Sequence, residues 1–298
     1  MKLCLCCISN ILDETEKKSF KTMTWKRFNE FEEKVALEIL SEKIINNFLV
    51  TKDIIYFCKK NGIAGYRFSS SLMPLLNHPE MKTNFYELPK IDEILKAINE
   101  IKKAVKETNL KFSAHPGEFI TLTSEDENAI KNSIKDLEQH GFLFDLLELE
   151  KDYTVPLNIH CRKDGDPENI SGRFLKNFDK LSDSVKKRLV VEVNDNKNGT
   201  WTISNLYKYF YLKNKIPVTF DSLHHKILHG NLPEKEAFEL AYSTWPVVPV
   251  FHYSEGINET KSHADYAKGK PNSYGKDVFW DVELKAKDYA ILDLLKNN

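Results

Sequence analysis

Little in this chain is present in excess, and each shortage excludes something. Its 298 residues carry 43 Lys and Arg against 44 Asp and Glu, a net charge near −1. There is no polybasic coat, so any attraction to phosphate has to be local. No apolar run approaches the roughly 18 residues that a membrane span requires. The opening Met1-Lys2-Leu3-Cys4-Leu5-Cys6-Cys7-Ile8-Ser9-Asn10 is too short and too quickly polar for a signal peptide, and reads as a buried first strand. Cysteine is scarce: Cys4, Cys6, Cys7, Cys58 and Cys161 make an odd number without the paired CxxC spacings of a zinc site. A reducing compartment follows, either cytoplasm with nucleoid or, in a eukaryote, the nucleus. Linkers, low-complexity tracts and internal repeats are missing too.

What is present is alternation. Strand-like runs at about 2–8, 63–68, 110–115, 154–160, 188–193, 216–221, 247–252 and 278–283 are separated by helical patterns at about 31–60, 91–106, 127–149, 171–183, 203–213 and 233–243. A last helix is expected over 285–295. Eight strands alternating with helices predict an α/β protein, a single (β/α)8 TIM barrel over residues 1–298. Between strands seven and eight, residues 254–276 are rich in Gly, Asn, Ser and Lys without helical period, so that helix is expected to be weak or missing.

The informative residues stand at the ends of those runs. Phe112-Ser113-Ala114-His115, Leu157-Asn158-Ile159-His160, Leu189-Val190-Val191-Glu192, Val218-Thr219-Phe220-Asp221, Pro249-Val250-Phe251-His252 and Phe279-Trp280-Asp281-Val282-Glu283 each finish on a metal-ligand side chain. In a parallel barrel the carboxyl ends of the strands meet at one rim. One such histidine is ordinary packing; six converging ligands, with no cysteine among them, suit a divalent ion such as zinc or manganese. Asp221-Ser222-Leu223-His224 adds a histidine three residues beyond an aspartate. The adjacent His225 reads equally as a structural or a substrate-side residue. The polar Asn194-Asp195-Asn196 after Glu192 reads as a substrate contact or a turn.

Taken together these segments resemble the UV-damage endonucleases of the UvdE/UvsE type over essentially the full length. The resemblance rests on Tyr66-Arg67-Phe68-Ser69-Ser70-Ser71, Asn77-His78-Pro79-Glu80, Ser113-Ala114-His115-Pro116-Gly117, Asn158-Ile159-His160, Glu192-Val193-Asn194-Asp195, Phe220-Asp221-Ser222-Leu223-His224-His225, Ser262-His263-Ala264 and Glu283-Leu284-Lys285-Ala286-Lys287-Asp288. It implies a TIM barrel similar to endonuclease IV and to sugar isomerases, with two or three divalent cations, Mn2+ first and Zn2+ second. The implied ligands are His78, His115, His160, Glu192, Asp221, His224, His252 and Glu283. Glu192, His263 and Lys285 are implied to carry the chemistry. The activity implied is ATP-independent hydrolysis of the phosphodiester on the 5′ side of a UV photoproduct, leaving a 3′-hydroxyl and a 5′-phosphate.

Damaged double-stranded DNA is the expected partner of a monomer with no membrane and no nucleotide cofactor. Expected DNA contacts are Asn10, Glu118, Phe119, Arg162, Lys163, Asn194, Lys197, Trp201, His225 and Lys287, with Phe119, Trp201 and Tyr274 as wedges or stacking surfaces. The chain departs from that family's pattern in four places, two of them being the loop Cys161-Arg162-Lys163-Asp164-Gly165, which replaces a glycine-rich one, and the first strand end, where Leu5, Cys6 and Cys7 stand in the neighbourhood of a missing tyrosine. At the other two, Val250 stands where the family carries a lysine that can be carboxylated, and Glu118-Phe119 replaces a Gln-Tyr pair. Three other readings remain: a broad-range abasic-site endonuclease, a metal-dependent sugar isomerase or epimerase, and a lesion-binding protein without turnover.

Overall fold

The computed structural model describes residues 1–117, 119–257 and 260–296. Its strands are β1 (Lys2–Cys6), β2 (Gly65–Phe68), β3 (Lys111–Ala114), β4 (Leu157–His160), β5 (Leu189–Glu192), β6 (Val218–Thr219), β7 (Val250–Tyr253) and β8 (Phe279–Val282). The helices are α1 (Asn10–Glu16), α2 (Trp25–Phe28), α3 (Glu33–Lys60), α4 (Ile91–Thr108), α5 (Glu127–Leu146), α6 (Pro167–Phe178), α7 (Asp183–Lys186), α8 (Ile203–Leu206), α9 (Leu212–Asn214), α10 (Ser222–Ile227), α11 (Glu234–Tyr242) and α12 (Asp288–Lys296).

The strands form one parallel sheet in the order β6-β5-β4-β3-β2-β1-β8-β7. A parallel bridge between Asp221 and His252, with the His252 N–H donating to Phe220 O at 2.9 Å, joins the two end strands and closes the (β/α)8 barrel. Closure requires close approach on the inside. A Cβ on Gly65 would lie 2.6 Å from both Cys4 Sγ and the Lys111 carbonyl, so only glycine fits there.

Strand period two divides the side chains. Phe112, Phe251 and Trp280 face the helices, where Phe251 and Trp280 meet Phe238 of α11 at 5.3 and 6.1 Å. Their neighbours Ser113, His252 and Asp281 point into the barrel, since Ser113 on β3 reaches Asp281 on the non-adjacent β8. Helix α3 turns Ala36, Leu40, Ile44, Phe48, Ile55 and Cys58 inward at helical spacing. The membrane criterion is decided here as well: among the described residues no helix is long and apolar enough to cross one.

Element limits differ from expectation where local chemistry intervenes. Helix α6 starts at Pro167 rather than 171, because the Asp166 side chain caps it and proline occupies its first turn. The expected helix 203–213 is α8 and α9 joined by a π-helical turn at Tyr207–Tyr211. Strand β1 stops at Cys6 because Cys7 takes a positive φ of 70°. The last helix begins at Asp288, whose buried carboxylate instead accepts the Asn10 and Ile11 N–H groups and caps α1. No α-helix occurs among the described residues between β7 and β8, as the composition of 254–276 implied.

Candidate metal centre

Glu192 ends β5 with 0% exposure, and its two carboxylate oxygens organise everything at the carboxyl rim. Oε2 lies 3.1 Å from His115 Nε2 and 3.6 Å from His160 Nε2, and also accepts the Asn158 amide. Oε1 lies 3.0 Å from His224 Nδ1 and 3.2 Å from His252 Nδ1. Four imidazoles from four different stretches therefore share one carboxylate. Their rings form an arc, with centroids 5.7 Å apart for His252 and His115, 5.2 Å for His115 and His160, and 5.3 Å for His160 and His224.

Two further carboxylates flank the arc. Asp221 caps α10 through Oδ1, which accepts the His224 N–H at 2.7 Å, so the same bond fixes the histidine and leaves Oδ2 buried without a partner. Glu283, just past β8, is held by the Arg67 guanidinium and lies 3.6 Å from His252 Nδ1 and 3.8 Å from His263 Nε2. Three overlapping groups result, each with ligand atoms within 4.8 Å of one another: His115–Glu192–His252, His160–Glu192–His224 and Asp221–His252–Glu283.

This donor set fits divalent cations. Glu192 Oε1, Asp221 Oδ2 and His252 Nδ1 are buried and make no well-formed hydrogen bond, an unusual cost for lone-pair atoms in a barrel interior. Glu192, Asp221, Glu283 and Asp281 bring four carboxylates to the arc, with Arg67 paired to Glu283, an acid-rich donor set of the kind that holds cations. The electrostatics agree. Burial opposes a charge on His224, but Asp221 and Glu192 overcome it and push the imidazole up to about 10. Burial likewise opposes His252, which Glu192 and Glu283 carry up to about 9. Both sites thus draw a positive charge at neutral pH, whether proton or metal. Burial pushes His160 down to about 3, keeping it neutral as a ligand must be. Burial would raise Glu192, yet His252 and His160 hold its carboxyl well below the usual range.

Seven of the expected ligands are brought together; His78 is not. It sits half-buried in the loop after β2, stacked on Trp25 at 4.6 Å, with Nδ1 accepting the Glu80 N–H at 3.3 Å. His263 stands at the edge of the cluster beside Glu283. Exposed Lys285 follows β8, joined through its backbone to Ala264 at 3.0 Å and to the Asn10 amide at 3.5 Å, so Asn10, His263 and Lys285 border one side of the rim.

The expected DNA contacts divide. Phe119 is 88% exposed, and Lys163 and Lys197 are exposed as well. Arg162 and Lys287 are half-buried. Lys197, Lys226 and Lys268 line a recess of about 590 Å³ beside the helix that carries His224. Glu118 lies outside the described residues. Trp201 corrects the expectation of a stacking surface: it is fully buried against Phe210 at 5.2 Å, with its indole N–H donating to Lys163 O at 2.6 Å. Tyr274 packs on Phe238 at 5.2 Å and donates to Glu234, so it too is structural. Asn194 is buried, its amide donating to Cys161 O and its oxygen accepting the Asp195 N–H. His225 is buried against Phe220 with Nε2 at Leu232 O.

Sequence reasoning missed Arg67, Asn158, Ser113 and Asp281, which surround the ligands from inside the barrel. The signal was available. Ser113, Asn158 and Asp281 each stand two residues before a rim ligand, and so on the same strand face.

Comparison with known proteins agrees in fold and family. The chain is 30% identical over 291 residues to the UV DNA damage endonuclease of Nostoc sp., covering 94% of this chain and 86% of that protein. The crystal structure of SacUVDE superposes over 100% of this chain and 97% of its own, with a TM-score of 0.83 at 26% identity. Endonuclease IV from Thermus thermophilus shares the fold alone, with a TM-score of 0.56 at 15% identity over 83% of this chain and 91% of that one. The family description that matches residues 1–298 is UV-endonuclease UvdE, and the chain belongs to that family of enzymes.

Proposed function

We propose that this protein is a metal-dependent DNA repair endonuclease that cuts the phosphodiester immediately 5′ of a UV photoproduct, leaving a 3′-hydroxyl and a 5′-phosphate. The observation that carries the reading is the sharing of Glu192 by four imidazoles at the open rim of the barrel. Two or three divalent ions, manganese first, would be held by His115 and His252 with Glu192, by His160 and His224 with Glu192, and by Asp221 and Glu283 beside His252. Bound there, they would supply a hydroxide nucleophile near neutral pH and Lewis-acid relief for the departing 3′-oxygen.

The chain's own residues do the rest. Arg67 holds Glu283 in place, so that this carboxylate cannot swing out of the cluster. His263 and Lys285, at the edge of the rim, would meet the scissile phosphate and neutralise its developing charge. Phe119, projecting from the loop after β3, is the most exposed of the three expected aromatic wedges. It would enter a duplex whose stacking the lesion has already weakened, and selectivity then comes from the low cost of opening that site. Lys163, Lys197 and Arg162 would meet flanking phosphates and set orientation.

The test is incision of four duplexes (intact, UV-irradiated, abasic and nicked) by purified protein with Mn2+ and with chelator. Mn2+-dependent cutting of the UV-irradiated duplex, one bond 5′ of the photoproduct, is expected. Cutting confined to abasic sites would reassign the substrate, and binding without cutting would make the protein a silent lesion binder.

A further inference from the structure

Beneath the ligands lies a second polar tier whose most costly member is Asp281. This carboxylate is 1% exposed. Its single side-chain hydrogen bond comes from Ser113 Oγ to Oδ2 at 2.8 Å, while Oδ1 is buried without a partner. The guanidinium that would ordinarily accompany such a group, Arg67, is turned to Glu283 instead. Keeping a carboxylate there costs stability unless it serves a neighbour.

The neighbour is His252. Strands β7 and β8 pair with His252 directly opposite Asp281, so both side chains enter the barrel side by side. His252 presents Nδ1 to the rim, 3.2 Å from Glu192 Oε1 and 3.6 Å from Glu283 Oε1. Its other nitrogen, Nε2, faces down to Asp281 Oδ2 at 3.9 Å. A neutral imidazole that offers the Nδ1 lone pair must carry its proton on Nε2, and that proton lies on the side of Asp281, whose Oδ2 a small turn of the ring would bring from 3.9 Å into hydrogen-bond range.

We propose that Asp281, itself fixed by Ser113, is the positioning carboxylate of His252: it accepts the Nε2 proton and so commits Nδ1 to the cations. The assignment rests on the metal reading given above. Asp281 is in none of the three candidate ligand groups, and in this assignment it acts through the imidazole. Such outer partners set ring orientation and ligand basicity in metal sites. His252 belongs to two of the three overlapping ligand groups, so the orientation of its ring decides which of them its one free nitrogen completes.

Three measurements on the full chain test this. In the first, Mn2+ affinity is measured by titration for wild type, Asp281→Asn and Ser113→Ala. Asp281→Asn should weaken at least one Mn2+ equivalent about tenfold, and Ser113→Ala less. In the second, incision kinetics at subsaturating Mn2+ should show kcat reduced in Asp281→Asn with KM for DNA unchanged, and excess Mn2+ should restore kcat. A purely structural role would not produce rescue by metal. The third needs no variant: nitrogen-15 NMR of the histidines in the Zn2+-loaded wild type should show His252 protonated at Nε2. An Nδ1 proton on His252, or Asp281→Asn binding Mn2+ as tightly as wild type, would overturn the assignment while leaving the metal reading intact. If wild type binds no divalent cation, the metal reading falls and the assignment with it.

Discussion

The inner wall of the rim and the loops above it were equally rich in promising residues, yet they behave differently. His115, His160, Glu192, Asp221, His224, His252 and Glu283, on or beside strand ends, converge within hydrogen-bonding or ion-pair distance of one another. Of the loop residues, Phe119, Lys163 and Lys197 face solvent, whereas Trp201 and Asn194 are folded inward. A strand end inherits its direction from register, which the whole barrel fixes. A loop side chain has no such constraint, and its direction is settled by contacts that no local pattern announces.

The largest effect that could break this comparison is at Glu192. Glu192→Gln keeps the shape but removes the charge shared by four imidazoles, and incision should fall about 10²–10³-fold with loss of Mn2+ affinity. Near-wild-type kcat with full Mn2+ stoichiometry would mean that the strand-end cluster is ordinary packing. Next come the two aromatics once expected to do the same job. Trp201→Ala should destabilise the fold by about 3–5 kcal/mol, read by urea unfolding, because it empties a core site. Phe119→Ala should leave the melting temperature within about 1 °C, as an exposed change does. Its cost should appear in kcat/KM on UV-irradiated duplex, about tenfold. Equal melting temperatures for the two variants would erase the distinction between inward and outward loops.

Histidine 140, on the outer helix α5, provides a smaller contrast with the rim. Burial opposes its charge, but Asp136, with a carboxylate oxygen 3.3 Å away, raises its pKa above the ordinary value of about 6.5. A raised folded-state pKa gives stability that is complete below the unfolded pKa and lost as pH climbs through the folded one. The stability difference between wild type and His140→Gln, in chelator, should therefore be largest below about pH 6.5, on the order of 1 kcal/mol, and shrink at higher pH. A difference that grows with pH would show that His140 is held neutral. Smallest of all, Lys197→Ala should lower the salt slope of DNA binding by about one, with little change in preference for the lesion.

The parts of the molecule legible in sequence follow the same division. Alternation of period two and period 3.6 gave the eight strands and their helices, and the chemistry at six strand ends gave the site, because a barrel converts sequence-distant strand ends into neighbours. His78 reads as a ligand because its segment resembles the family's, and in this structure its loop stacks it on Trp25, apart from the seven that converge. Asn158, Ser113 and Asp281 were overlooked since a polar residue inside a short apolar run resembles noise. Counting back two places from each rim ligand would have found all three. Arg67 was visible in Tyr66-Arg67-Phe68, yet nothing local pairs it with a glutamate 216 residues away.

The central claim is that one buried carboxylate joins cations held by histidines of four separate strand ends and loops. Anomalous diffraction at the manganese edge from Mn2+-soaked crystals measures this directly. Peaks are expected on both sides of Glu192, one beside His115 and His252 and another beside His160 and His224. A soaked crystal with no peak bonded to Glu192, or with manganese bound only elsewhere, would contradict it.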